Sequence, residues 1–128
     1  MITKEIELCG KKVIMAYCYA TEIAYKAMAG EDMHDFIQDA VKCIKKKKDP
    51  DSKRVIFAIL ASVNSYYESL TDINERKSPV TDREMMYNLT PKEMGAAIGT
   101  ILILRSQFYQ LPKDEEGDTQ EEGKQKNA

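Results

Sequence analysis

Glu5-Ile6-Glu7-Leu8-Cys9-Gly10-Lys11-Lys12-Val13-Ile14-Met15-Ala16-Tyr17-Cys18-Tyr19-Ala20-Thr21-Glu22-Ile23-Ala24-Tyr25 decides the fold, because the hydrophobic period changes inside it. Ile2, Ile6 and Leu8 hold even positions with Thr3, Glu5 and Glu7 between them, the period-2 pattern of a half-buried strand. Val13, Met15, Tyr17 and Tyr19 continue the alternation as a second strand. Gly10 tolerates positive φ, so a hairpin turning there is the simplest connection. A two-residue turn at Gly10-Lys11 sets Leu8 opposite Val13 and Ile6 opposite Met15, with the apolar residues on one face. It also sets Cys18 opposite Thr3, far from Cys9, so no cross-strand disulfide follows. Past Tyr19 the period lengthens: Ala20, Ile23, Ala24, Ala27 and Met28 fall at helical spacing, and Gly30 stops the run as a C-cap.

Further outward the chain reads as helices. Met33, Phe36, Ile37, Ala40, Val41 and Ile44 form one stripe, with Lys45 to Lys48 crowding the end that favours cations. Asp49-Pro50 breaks it, with Asp49 as the expected cap of the next helix and Pro50 at its first position. Ile56, Ile59, Leu60, Val63, Tyr66, Tyr67 and Leu70 make the cleanest apolar face. A polar connector over 72–79 leads to Thr81-Asp82-Arg83-Glu84, which has the form of a capping box and opens a short helix through Met85, Met86 and Tyr87. Thr90-Pro91-Lys92-Glu93 repeats the device with Pro at the first helical position. The last helix carries Met94, Ala97, Ile98, Ile101, Leu102, Leu104, Phe108 and Leu111. Gly95 and Gly99, four apart, predict close packing against a neighbour. The faces over 56–70 and 98–111 are free to pack on each other or across a homo-oligomer.

The fold class is therefore α+β, mainly α: an N-terminal β-hairpin and four to five packed helices over 1–111. Residues 112–128 form an expected disordered acidic tail. That tail has six acidic residues against three Lys, net -3, leaving residues 1–111 with 16 basic and 15 acidic side chains, net +1. A nearly neutral body lacks the basic balance of a nucleic-acid binder. With 128 residues there is length for one domain with a real core. The alternating N-terminus has no apolar signal-peptide core, and no apolar run approaches the roughly 20 residues of a membrane span. Three cysteines without CxxC spacing read as reduced thiols, so a cytoplasmic location is expected.

No stretch has catalytic spacing, so the sequence predicts no enzyme, no metal and no cofactor. His34 is the sole histidine, beside Asp35 and near Glu31 and Asp39, and reads as a surface residue in the first turn of a helix. Cys9, Cys18, Cys43 and His34 lack the spacing of a metal site. Lys45 to Lys48 lack interleaved aromatics and read as a solvated helix end. A helix-turn-helix over 79–111 fails because its last helix is too apolar to read base edges. Tyr17, Tyr19, Tyr25, Tyr66 and Tyr67 are the candidate partner-binding residues, weighed against core packing with hydroxyls at the rim. Met15, Met28, Met33, Met85, Met86 and Met94 offer adaptable surface, with at least half of them expected to fill core.

The hairpin over 5–13, its continuation through Tyr17-Cys18-Tyr19-Ala20-Thr21-Glu22-Ile23-Ala24-Tyr25, the Gly30-Glu31-Asp32 break, the Ser- and Tyr-containing central helix and the Leu89-Thr90-Pro91-Lys92-Glu93 helix start resemble the tail assembly chaperones of long-tailed bacteriophages. The likeness is to the divergent form carried by phages and prophages of gut anaerobes, and covers residues 3 to 111. It implies a chaperone that binds the long helical tape-measure protein, keeps its apolar stripes from aggregating and recruits tail-tube subunits to it. It also implies a second, longer product made by programmed ribosomal frameshift. Gln125-Lys126-Asn127 can be written CAA-AAA-AAC, which contains the slippery string A-AAA-AAC, although other codons encode the same residues. An acidic tail there suits a flexible link to a frameshifted domain. The rival readings are a structural adaptor of a phage or mobile element, and a small enzyme or regulator using His34 or a cysteine.

Overall fold

The turn of the hairpin shows how the chain is tied together. In the computed structural model, which describes residues 1–112, β1 (Ile2–Leu8) pairs antiparallel with β2 (Lys11–Tyr17). Ile6 faces Val13 and Leu8 faces Lys11, so Cys9-Gly10, not Gly10-Lys11, forms the turn. The expected register is thus corrected by two residues, and Thr3 faces Ala16. A slip of two keeps every side chain on its face, which is why Leu8, Val13 and Met15 are still buried. The reason is backbone chemistry: Cys9 (φ 54) and Gly10 (φ 76) both take the positive φ that a twist-matched two-residue turn requires. Glu93, far along the chain, holds Cys9 there. Its carboxylate accepts the N–H of Cys9 at 3.1 Å and of Gly10 at 3.2 Å.

Five helices follow: α1 (Tyr19–Ala29), α2 (Met33–Lys45), α3 (Ser52–Tyr67), α4 (Asp82–Asn88) and α5 (Pro91–Tyr109), with a short 3-10 turn at Ile73–Glu75. The architecture is α+β, mainly α, as the periodicities predict. Gly30 ends α1 at φ 75. The cap of α3 is a correction: Asp51, not Asp49, accepts the Lys53 N–H at 3.2 Å, and the helix begins at Ser52 beyond Pro50. The expected tail lies, apart from Pro112, outside the described residues.

The core is one cluster built from Leu8, Val13, Met15 and Tyr17 of the hairpin, Tyr25 of α1, Phe36 of α2, Ile59 and Val63 of α3, Met85 of α4 and Ile101 and Leu104 of α5. Helix α3 packs on both β2 and α1, and α5 packs on the hairpin and on α3. The apolar faces of α3 and α5 therefore meet inside one molecule. The phase of α1 differs from expectation. Thr21 and Tyr25 are buried, whereas Ala20 and Ala27 are exposed and Ile23 is 71 % exposed. Thr21 can enter the core because its hydroxyl donates to the Ala16 carbonyl (3.2 Å) and lies 2.8 Å from Ser65 Oγ, satisfying the buried polar atom.

Candidate functional site

The beginning of α5 is positioned by polar contacts. Thr90 Oγ1 accepts the Glu93 N–H, and Glu93 returns a carboxylate oxygen to the Thr90 N–H, each at 3.1 Å. The same carboxylate holds the hairpin turn, so one side chain fixes both the helix start and the hairpin. These N–H groups, Thr90's foremost, hold the Glu93 carboxyl below its ordinary range against the opposing effect of partial burial. At the start of α4, Thr81 caps by accepting the Glu84 N–H at 3.0 Å. The reciprocal half of that expected capping box is diverted: Glu84 pairs with Lys11 Nζ at 2.7 Å, a second tie to the hairpin.

Between these fixed starts and the first turns of α3 lies an open apolar groove. Ile56, Phe57, Met86, the Lys53 stem, Ser52 and Asp82 line a hollow of about 460 Å³. A second hollow, about 310 Å³, shares Ser52 and is lined by Pro50, Leu89, Pro91, Met94, Gly95 and Ile98, with Asp49 at its edge. Gly95 does not mark close packing, and neither does Gly99. A Cβ built at either meets nothing within 4 Å, which corrects the expectation from their spacing. Gly95 instead lines the second hollow, where its missing side chain leaves open space. Met85 and Met86 are neighbours on α4 with opposite fates, 1 % and 62 % exposed, because a helix turns about 100° per residue. The lining offers apolar contact, two flexible thioethers and marginal carboxylates, with no His or Cys in it. Such a groove receives the apolar stripe of a helix.

The expected tyrosine surface is not assembled in one place. Tyr17 and Tyr25 are fully buried core residues whose hydroxyls reach the rim, Tyr17 to Glu22 at 2.8 Å and Tyr25 to Glu31 at 2.5 Å. Burial, then these hydrogen bonds to carboxylates, pushes both phenols up. Tyr66 and Tyr67 stack edge to face at the end of α3, and Tyr67 Oη accepts the Ile14 N–H at 3.3 Å. Tyr19 is exposed and lies edge-on to Phe108 of α5. Tyr109 donates to Glu22 at 2.6 Å, which with burial pushes its phenol up to about 12.

His34 is exposed in the first turn of α2. Among the described residues no group of His, Cys, Asp and Glu is arranged to hold a metal, and no helix is long and apolar enough to cross a membrane. All three cysteines are free thiols. Burial first, then Glu84 and Glu93, pushes the Cys9 thiol up, away from a reactive thiolate. Met15, Met33 and Met85 are buried, leaving Met28 and Met94 half-buried and Met86 at the surface. Sequence reasoning missed Phe57 and Leu89 as groove residues; Phe57 directly follows Ile56 of the apolar stripe, the one signal of a widened face. No protein-family model matches this chain, nor does any curated protein or solved structure.

Proposed function

We propose that this chain is a non-catalytic assembly chaperone of the phage-tail type, acting in the host cytoplasm on a long, helical tape-measure protein. The observation that carries the reading is the groove at the junction of α3, α4 and α5, where Met86 stands open to solvent beside the half-buried Phe57 on a scaffold fixed by Glu93 and Glu84. A rigid frame with a soft, methionine-edged lining suits repeated apolar stripes of differing sequence. Each contact is weak, and a client presenting many of them gains by multivalency.

The reading has a genomic and a particle test. The encoding DNA is expected to carry the slippery string at codons 125–127, an overlapping frame and then a very long helical reading frame. An isolated gene without these neighbours contradicts the proposal. The protein is expected in infected or induced cells and absent from finished virions. A fixed stoichiometric amount in purified particles assigns it instead to the structural adaptors.

A further inference from the structure

Helix α1 turns outward the kind of residue that a helix on a core hides. Tyr19 is 64 % and Ile23 71 % exposed, with Ala20, Lys26 and Ala27 exposed beside them, while Thr21 and Tyr25 face inward. The ring of Tyr19 is held edge-on to Phe108 at 5.0 Å, so this surface is preorganised. The groove is lined from α3, α4, α5 and the loops beside them, so the α1 face is separate from it and does not depend on the chaperone reading. The face is also its own complement. Two antiparallel helices related by a two-fold axis at Ile23 set each residue against the one equally far beyond Ile23 in the second copy. Tyr19 then meets Ala27, Ala20 meets Lys26 and Ile23 meets Ile23. Each residue exposed between positions 19 and 27 is thus opposed by another exposed one. The large Tyr19 lies against a methyl group and the Lys26 stem crosses Ala20, which lets the axes approach to the usual packing distance of about 8–10 Å.

Charge agrees with size. Glu22 and Lys26 stand four apart on one flank of α1, and the two-fold sets like flanks side by side. Lys26 of each copy then comes within about 3 Å, measured along the axis, of Glu22 of the other. Both groups can take part. Glu22 gives Oε2 to the phenols of Tyr17 and Tyr109, which leaves Oε1 for an ammonium. Lys26 pairs with Asp32 at 3.1 Å, with the side chains 66 % and 65 % exposed, and an ion pair so wet contributes little and exchanges readily. We propose that α1 is a self-association face, through which two copies of this chain pair antiparallel about Ile23. A second copy is favoured over an unrelated helix because the face finds both its size and its charge complement in itself. An 11-residue helix is a small footprint beside the about 800 Å² per partner of a standard interface, so the dimer is weak and depends on concentration.

Sedimentation velocity of the full chain from about 10 μM to about 1 mM covers the affinities of such small interfaces. The wild type is expected to move from monomer towards dimer over that range, and Ile23→Asp to stay monomeric at an unchanged melting temperature. Oxidative cross-linking tests the register. Ile23→Cys sets two thiols against each other at the two-fold and is expected to give a disulfide-linked dimer. In Ala20→Cys the two thiols stand about 9 Å apart along the axis, beyond the reach of a disulfide, and little cross-linking is expected. The wild type, with Cys9, Cys18 and Cys43, is the control for its own thiols. A wild type that is monomeric throughout overturns the proposal. A dimer that persists in Ile23→Asp also overturns it, by placing the contact elsewhere. So does cross-linking of Ala20→Cys as fast as that of Ile23→Cys, the mark of random collision.

Discussion

Met85 and Met86 are adjacent, chemically identical and set to opposite uses. Met85 is enclosed by the common core, whereas Met86 edges a groove open to solvent. The contrast extends to the regions around them. The core seam of Leu8, Met15, Tyr25, Phe36, Ile59 and Ile101 excludes water and carries stability. The groove of Phe57, Met86 and Met94 leaves apolar surface wet, where it contributes little to folding and is available to a partner. Core packing and exposed apolar surface are thereby separated by one step along α4.

The sharpest way to break this contrast is to truncate both methionines in turn. Met85→Ala is expected to cost about 2–4 kcal/mol in a denaturant melt, as buried methionines do. Met86→Ala is expected to stay within about 0.5 kcal/mol of wild type. Equal losses would show that the groove wall is part of the core.

Glu93→Gln tests the polar frame that holds the groove open. Its carboxylate accepts three backbone N–H groups, two from the hairpin turn and one from Thr90. With the donors partly solvated, the expected loss is about 1–2 kcal/mol. The sign with pH follows from the depressed folded pKa. The contribution is fully present above the ordinary glutamate value near 4.3, and is lost as pH falls through the lower folded value. Denaturant melts at neutral pH and near pH 3 are expected to show wild type and Glu93→Gln converging in acid. A gap independent of pH means the carboxylate's charge is not what binds the turn.

Gly99→Ala has a smaller effect of opposite sign. The position is helical and has open space around it, so the thermal melt is expected to rise by the equivalent of about 0.5–1 kcal/mol. A fall would reveal a neighbour on that face, such as a second copy packed there. Gly95→Ala is expected to stabilise similarly while narrowing the groove, which separates the two roles of one surface.

Much of the fold was legible because local signals agreed with one another. The period switch after Tyr19, the Gly30 stop and the Thr90-Pro91-Lys92-Glu93 start each name an element, and each is present. What escaped depended on contacts distant in sequence. The turn register rests on Glu93, more than 80 positions from Cys9. The phase of α1 rests on Thr21 being satisfied by Ala16 and Ser65, which no hydrophobicity pattern reveals. Gly95 and Gly99 have a spacing that suggests close packing, but only the neighbouring elements decide whether anything approaches them. The groove was half legible. Its methionines stood out as adaptable surface, but which of two adjacent ones faces outward depends on the phase of α4 against the core. Of the tyrosines, Tyr17 and Tyr25 take the alternative weighed for them, core packing with only the hydroxyls at the rim.

The most direct test is calorimetric titration of a purified tape-measure segment, taken from the neighbouring long reading frame, onto wild type and Met86→Asp. Binding by the wild type, and at least about tenfold weaker binding by Met86→Asp at an unchanged melting temperature, is the predicted result; a buried methionine anchor of about 1.4 kcal/mol accounts for that factor. Equal affinity of the two proteins, or no binding by either, contradicts the assignment of the groove as the client site.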